Sequence, residues 1–184
     1  MATKRNFIKE FWKERRVVGA VSPSTRFLGE KMIENVDFDE SKLIVELGPG
    51  TGVFTDLIID RMADDAKLLV FELNENFYES LNKRIDDPRV QVIHDSAEFI
   101  EKYVEDGEKQ DVVISSLPLM VFKEELRNNV VKASYDCLKE DGKYIQFQYS
   151  LQSKKLLEGV FNDVSVKFTM KNFPPAFVYT CHKN

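Results

Sequence analysis

A chain of 184 residues that is 43% hydrophobic and 31% charged is of a size for one domain with a sizeable core. Two cysteines, Cys137 and Cys181, exclude a disulfide framework, and with two histidines scattered singly no metal site is readable. No apolar run approaches the roughly 18 residues of a spanning helix, and charges interrupt the N-terminal apolar residues. Neither a membrane span nor a signal peptide is expected, and the protein is expected to be cytoplasmic.

The net charge of −5 is unevenly spread. Residues 1–31 hold eight Lys and Arg against Glu10, Glu14 and Glu30, a local +5, which leaves −10 for the remainder. An acidic body with a basic arm suggests that the arm meets something anionic, and it argues against a general nucleic-acid enzyme. Within the arm, Lys4 to Arg16 has helical periodicity. Phe7, Ile8, Phe11 and Trp12 fall on one stripe bordered by cations, a pattern of helices lying in a membrane interface. The same stripe could equally dock on its own domain.

Ser22-Pro-Ser-Thr25 starts a helix over roughly Thr25 to Asn35. Leu43 to Leu47 reads as a buried parallel strand that breaks into Gly48, Gly50 and Gly52 before a helix to about Met62. Lys67 to Glu72 is a second strand, and Asn74 can cap a helix over Glu75 to Ile85. Val90 to His94 is a third strand, followed by a helix through about Tyr103. Asp111 to Ser116 is a fourth, followed by a helix from about Lys123 to Leu138 that Gly142 breaks. Lys143 to Tyr149 is a fifth strand, and a short helix near Gln152 to Leu157 precedes two strands, Val164 to Met170 and Ala176 to Cys181. Alternating strands and helices imply an open parallel sheet covered on both faces. The last two strands lack a helix between them, so they should pair antiparallel at one edge.

In such sheets ligands sit beyond the carboxyl ends of the strands. The turn here is G-x-G-x-G, not the G-x-G-x-x-G of dinucleotide binders, and Glu46 stands two residues before it. A carboxylate there repels a pyrophosphate but favours the sulfonium and ammonium of S-adenosylmethionine. Glu72 closes the second strand, where it can accept both ribose hydroxyls. Asp95 closes the third beside Ser96, placed either to accept from an adenine amino group or only to cap the next helix.

The motifs E-L-G-P-G-T-G, F-E-L-N, H-D-S and S-S-L-P-L together resemble those of class I S-adenosylmethionine-dependent methyltransferases. The resemblance spans nearly the whole chain. It implies an α/β, Rossmann-like fold with a seven-stranded, mostly parallel sheet, helices on both faces and an antiparallel last strand. It also implies S-adenosyl-L-methionine as cofactor, held by Glu46, Gly48, Gly50, Thr51, Gly52, Glu72, Leu73, Asp95, Ser96 and Ser115. The expected organisation is a helical arm over residues 1–36 and the methyltransferase domain over 37–184.

The fourth strand speaks to the acceptor. Amino-group methylases of nucleobases carry Asn/Asp-Pro-Pro-Tyr or Asn-Leu-Pro-Tyr there, whereas this chain has Ser116-Leu-Pro-Leu119. Serine replaces the amide and leucine removes the surface on which a base stacks. The retained Leu117-Pro118 leaves a backbone carbonyl to meet an attacking nitrogen, and Tyr149, ending the fifth strand, is a candidate to orient it. Gly19 to Leu28, Ser115 to Leu119 and Asn172-Phe-Pro-Pro-Ala-Phe-Val-Tyr179 resemble the bacterial phospholipid N-methyltransferases. That resemblance implies methylation of the amine of a phosphatidylethanolamine-like aminophospholipid by Ser116, Leu117, Pro118 and Tyr149. It further implies that residues 4–16 bind the anionic inner face of the membrane, that Leu119 to Phe122 can face acyl chains, and that neither nucleic acid nor metal takes part. A ribosomal RNA adenine dimethylase-like enzyme, a methylase of another small amine, and a cofactor-binding module without turnover are the alternatives.

Overall fold

The computed structural model describes residues 23–105, 107–170 and 174–184. The aromatic stripe within 4–16, the start of the Gly19 to Leu28 stretch, and Asn172 and Phe173 lie outside them.

Helix α1 (Pro23–Ile33) precedes strand β1 (Leu43–Leu47), the glycine turn and α2 (Val53–Ile59). Strand β2 (Lys67–Phe71), α3 (Glu75–Arg84) and β3 (Val90–Ile93) follow, with the Asn74 side chain accepting from the amides of Asn76 and Phe77 to cap α3. A 3-10 turn, Ala97–Tyr103, leads to β4 (Gln110–Ser115), a second 3-10 turn Leu119–Val121, α4 (Glu124–Cys137) and β5 (Leu138–Gln148). The chain closes with a 3-10 turn Leu151–Ser153, α5 (Lys154–Glu158), β6 (Asp163–Thr169) and β7 (Ala176–His182).

The seven strands form one sheet in the order β3-β2-β1-β4-β5-β7-β6. The first five are mutually parallel, and β7 runs antiparallel to both neighbours, β5 and β6. Too few residues separate β6 from β7 for a helical crossover, so the chain can only turn back. Side chains alternate between the faces of β1. Val45 and Leu47 join Leu69, Phe71, Val113 and the α4 residues Val130 and Val131, while Ile44 joins Leu68, Val70, Ile114 and the α2 residues Leu57 and Ile58. Both faces are therefore apolar, and Glu46 interrupts the second at the carboxyl end of the strand.

Two expectations need correction. The helix after β3 is a 3-10 turn, with the Ser96 side chain capping it by accepting from Glu98 and with non-helical dihedrals at Phe99. Helix α4 stops at Cys137, before Gly142, because Leu138 already pairs with Gln110 as the start of β5. Gly142 sits instead in an irregularity of that strand, where Asp141 donates to Lys183 and Lys183 to Gly142 across to the C-terminal strand. Leu28, Met32 and Ile33 of α1 are buried in the core beside Ile44 and Phe147.

Candidate functional site

Five strand ends meet at one edge of the sheet. At the end of β1 the amide of Gly48 donates to Phe71 on β2 at 2.9 Å, which carries the parallel ladder one residue past the strand. Gly48 has φ +70°, and a Cβ there would lie 2.7 Å from Leu117 Cδ2. Gly52, at φ +84°, caps α2 in the left-handed region. Gly50 is buried between them, and Thr51 is exposed at the tip of the turn.

The carboxylates behind this turn differ in how they are satisfied. Glu46 is fully buried, and its Oε2 accepts from the Thr55 hydroxyl at 2.6 Å. Its Oε1 is buried without a hydrogen-bond partner among the described residues. Burial dominates its titration and pushes it up to about 8, against the lowering effect of Thr55. Glu72 is also buried, with Oε2 accepting from the Gly50 amide at 3.1 Å and Oε1 from the Asn74 amide at 2.7 Å. It thus ties the glycine turn to the end of β2. Asp95, half-buried, accepts from the Ser96 amide at 2.7 Å and from the Tyr103 hydroxyl at 2.9 Å.

A cleft runs between these groups, lined by Gly48, Phe71, Glu72, Leu73, Asp95, Ser96 and Ala97 on one side. Leu117, Pro118, Phe122, Leu126 and Val130 line the other. The tops of β1, β2 and β3 are thereby brought together with the Leu-Pro segment after β4, as the motifs imply. Of the residues singled out in the sequence, Glu46, Gly50, Thr51, Gly52, Ser115, Ser116 and Tyr149 are not among the lining residues. Ser115 is buried, its hydroxyl accepting from the Leu117 amide at 3.4 Å. Ser116 is buried with its hydroxyl unpartnered among the described residues. Tyr149 is 52% exposed, its ring packed edge-on against Phe147.

The Leu117 carbonyl, expected to meet the attacking nitrogen, is already engaged. It accepts from Gln146 Nε2 at 3.0 Å, from Gln148 Nε2 at 2.9 Å and from the Leu119 amide at 2.9 Å, which leaves no lone pair over. Leu119 is wholly buried, so of the stretch from Leu119 to Phe122 it cannot face acyl chains. Thr55, Tyr103, Gln146 and Gln148 escaped the sequence reading. A signal existed for the last two: Tyr144, Gln146 and Gln148 place polar groups at alternate positions of a strand otherwise reading as interior.

A doubly covered sheet with this strand order, a glycine turn after β1 and acidic ends on β1, β2 and β3 defines the class I methyltransferases. The methyltransferase domain family model matches residues 44–142, and the chain belongs to that family. Among solved structures, it resembles the 1,6-didemethyltoxoflavin-N1-methyltransferase of Burkholderia thailandensis, with a TM-score of 0.75 and 13% identity over 98% of this chain and 87% of that one. In sequence it is 26% identical over 179 residues to an ornithine lipid N-methyltransferase of Singulisphaera acidiphila, covering 95% of this chain and 93% of the relative. A ribosomal RNA small subunit methyltransferase A of Borrelia garinii subsp. bavariensis is 28% identical over 117 residues, 60% of this chain but 40% of that protein.

Proposed function

We propose that the protein transfers a methyl group from S-adenosylmethionine to the primary amine of a lipid head group, an aminophospholipid of the phosphatidylethanolamine type. The cofactor supplies an electrophilic methyl carbon on a sulfonium when bound. The chain fits it on its own terms: the unpaired, buried Glu46 oxygen suits a cation, and the glycine turn leaves backbone where a side chain would collide. Glu72 would hold the ribose hydroxyls in addition to its amides, and Leu73, Asp95 and Ser96 would frame the adenine. The protein's part is to hold a neutral amine in line with the methyl group, since positioning can supply most of the catalysis.

The observation that carries the choice of acceptor is Leu119. At the place where nucleobase methylases present a stacking ring, this chain has a leucine wholly buried in the core, so that position offers a flat base no ring. A compact alkylamine needs no such surface. Val121, Tyr149 and Leu151, exposed by 40%, 52% and 50%, leave apolar surface on the 3-10 turns Leu119–Val121 and Leu151–Ser153 and just past the end of β5, where an acyl chain would be favoured over water. The end-to-end relationship with a lipid N-methyltransferase supports the same reading. Residues 4–16 would bring the protein to the anionic inner face of the membrane through their cations, each contributing about 1 kcal/mol near such a surface.

Labelled S-adenosylmethionine offered with phosphatidylethanolamine vesicles, ornithine lipid vesicles or ribosomal RNA tests the proposal. Label should enter phosphatidylethanolamine. Label in ornithine lipid alone would keep the lipid amine and move the head group; label in RNA alone would overturn the reading. Sedimentation with anionic vesicles should weaken with salt. Phe11→Glu with Trp12→Glu should abolish it without changing cofactor affinity, and a loss of cofactor binding instead would show that the stripe packs on the domain.

A further inference from the structure

The engaged Leu117 carbonyl leaves the attacking amine without the main-chain acceptor that the Leu-Pro segment suggests. Gln146 is closed off as a substitute: its amide nitrogen also donates to the Phe147 carbonyl at 2.7 Å, and its oxygen accepts from the Tyr144 hydroxyl at 2.8 Å. Gln148 is used on one side only. A carbonyl can only accept, so the Gln148 NH2 group faces Leu117 and the oxygen faces away from it. That oxygen accepts from no described residue, and it is not among the buried, unpaired polar atoms although the residue is only 9% exposed. It is an acceptor held by a nearly buried side chain, open to solvent, one hydrogen bond from a residue lining the cleft. Ser116 offers no equal alternative, because its hydroxyl is sealed from solvent.

Resting on the lipid-amine reading above, we propose that the Gln148 side-chain oxygen accepts an N–H of the substrate amine and turns the nitrogen lone pair toward the methyl donor. The nitrogen bonds to the methyl carbon as the carbon–sulfur bond breaks, the bonding pair stays on sulfur as a neutral thioether, and the new ammonium releases its proton to water. The Gln148 oxygen accepts a hydrogen bond throughout and takes no proton. This assigns a dependence on methyl number. A neutral primary amine has two N–H groups and a secondary amine one, so Gln148 assists the first and second transfers. A neutral dimethylamine has none, so the third transfer proceeds without it.

Gln148→Met keeps the shape and removes both the acceptor and the donor to Leu117. Turnover is measured on vesicles of phosphatidylethanolamine and of its N-methyl and N,N-dimethyl forms, or on the corresponding ornithine lipids if those are what the parent methylates. The expected result is a loss on the first two that exceeds the loss on the dimethyl form by about tenfold or more, the dimethyl form losing only what the missing donor to Leu117 costs. S-adenosylhomocysteine affinity by calorimetry should match the parent, which shows that the cleft is folded. Equal losses on all three lipids would mean that Gln148 only holds the Leu117 segment, and no loss on any would remove it from the site; either overturns the proposal. Gln148→Glu retains the acceptor and gives up the donor to Leu117, so its losses should be equal across the series, and a loss confined to the lipids that carry N–H groups would count against it. A parent enzyme that labels only RNA fails at the lipid reading itself, a different result from equal losses in an active parent.

Discussion

The two ends of the parallel strands treat the same chemical group in opposite ways. At the amino end, Asp111 is the second residue of β4, and its Oδ2 accepts from the amides of Lys42 and Leu43 at 2.8 Å each, while Lys139 pairs with Oδ1. Its side chain is 11% exposed, so burial alone pushes its carboxyl up, yet these donors hold it below the usual range. At the carboxyl end, Glu46 has one donor, one unpaired oxygen and a carboxyl pushed up to about 8. A carboxylate whose acceptors are matched serves as scaffold. One buried with an acceptor left over holds its charge poorly until a cation arrives. The signs against pH are therefore opposite. Asp111 contributes stability above its ordinary range that is lost as pH falls. Glu46 contributes stability that is fully present below 4.5 and lost as pH rises toward about 8.

The sharpest break of this contrast comes at Gly48. Gly48→Val would force a β-branched side chain into a positive φ and against Leu117, and S-adenosylmethionine binding should become undetectable by calorimetry. Retained binding would show that the turn is not the cofactor's seat. Next in size, Asp111→Ala should cost about 2–3 kcal/mol of stability by orphaning two amides and the Lys139 charge. Its Tm should fall while cofactor affinity in the folded protein stays within about twofold. A fall in affinity with unchanged Tm would reverse the roles assigned to the two ends.

Proton linkage sharpens the comparison from the other side. If the cofactor's cations require Glu46 ionised, affinity should rise from about pH 6 to about 8 by up to about tenfold per unit, with a proton released on binding. Calorimetry in buffers of different ionisation enthalpy measures that proton, and Glu46→Gln should flatten the profile. A parent profile that is already flat would detach Glu46 from the ligand. Glu72→Ala should weaken binding by more than about tenfold, because the Gly50 amide loses its charged acceptor and so, on the proposed role, do the ribose hydroxyls. Asp95→Ala should have the smallest effect, since water can stand in for its partner at a half-exposed site; equal losses for the two variants would contradict that ranking.

Much of the backbone around the proposed cofactor side could be read from the chain because its signals are local. The apolar run of β1, the three glycines and the caps Asn74 and Ser96 each depend on neighbours a few residues away, and Glu46, Glu72 and Asp95 follow once strand ends are placed. The substrate side was not legible in the same way. Nothing near Leu117 in sequence shows that its carbonyl is filled by Gln146 and Gln148, about 30 residues on. That arrangement exists only once β4 and β5 pair with Ser115 opposite Gln146. The same pairing carries β5 back to Leu138 past the expected helix break. The Tyr103 hydroxyl reaches Asp95 through the shape of a 3-10 turn that periodicity reads as an α-helix. Leu119, whose identity argues against a stacked base, was plain in the sequence, but its complete burial was decided by packing among the core residues on the α4 face. Hydrophobic period, turn glycines and caps act over one or two turns of chain and are written there. Hydrogen bonds between strands and the burial of single side chains depend on register, which only the assembled sheet supplies.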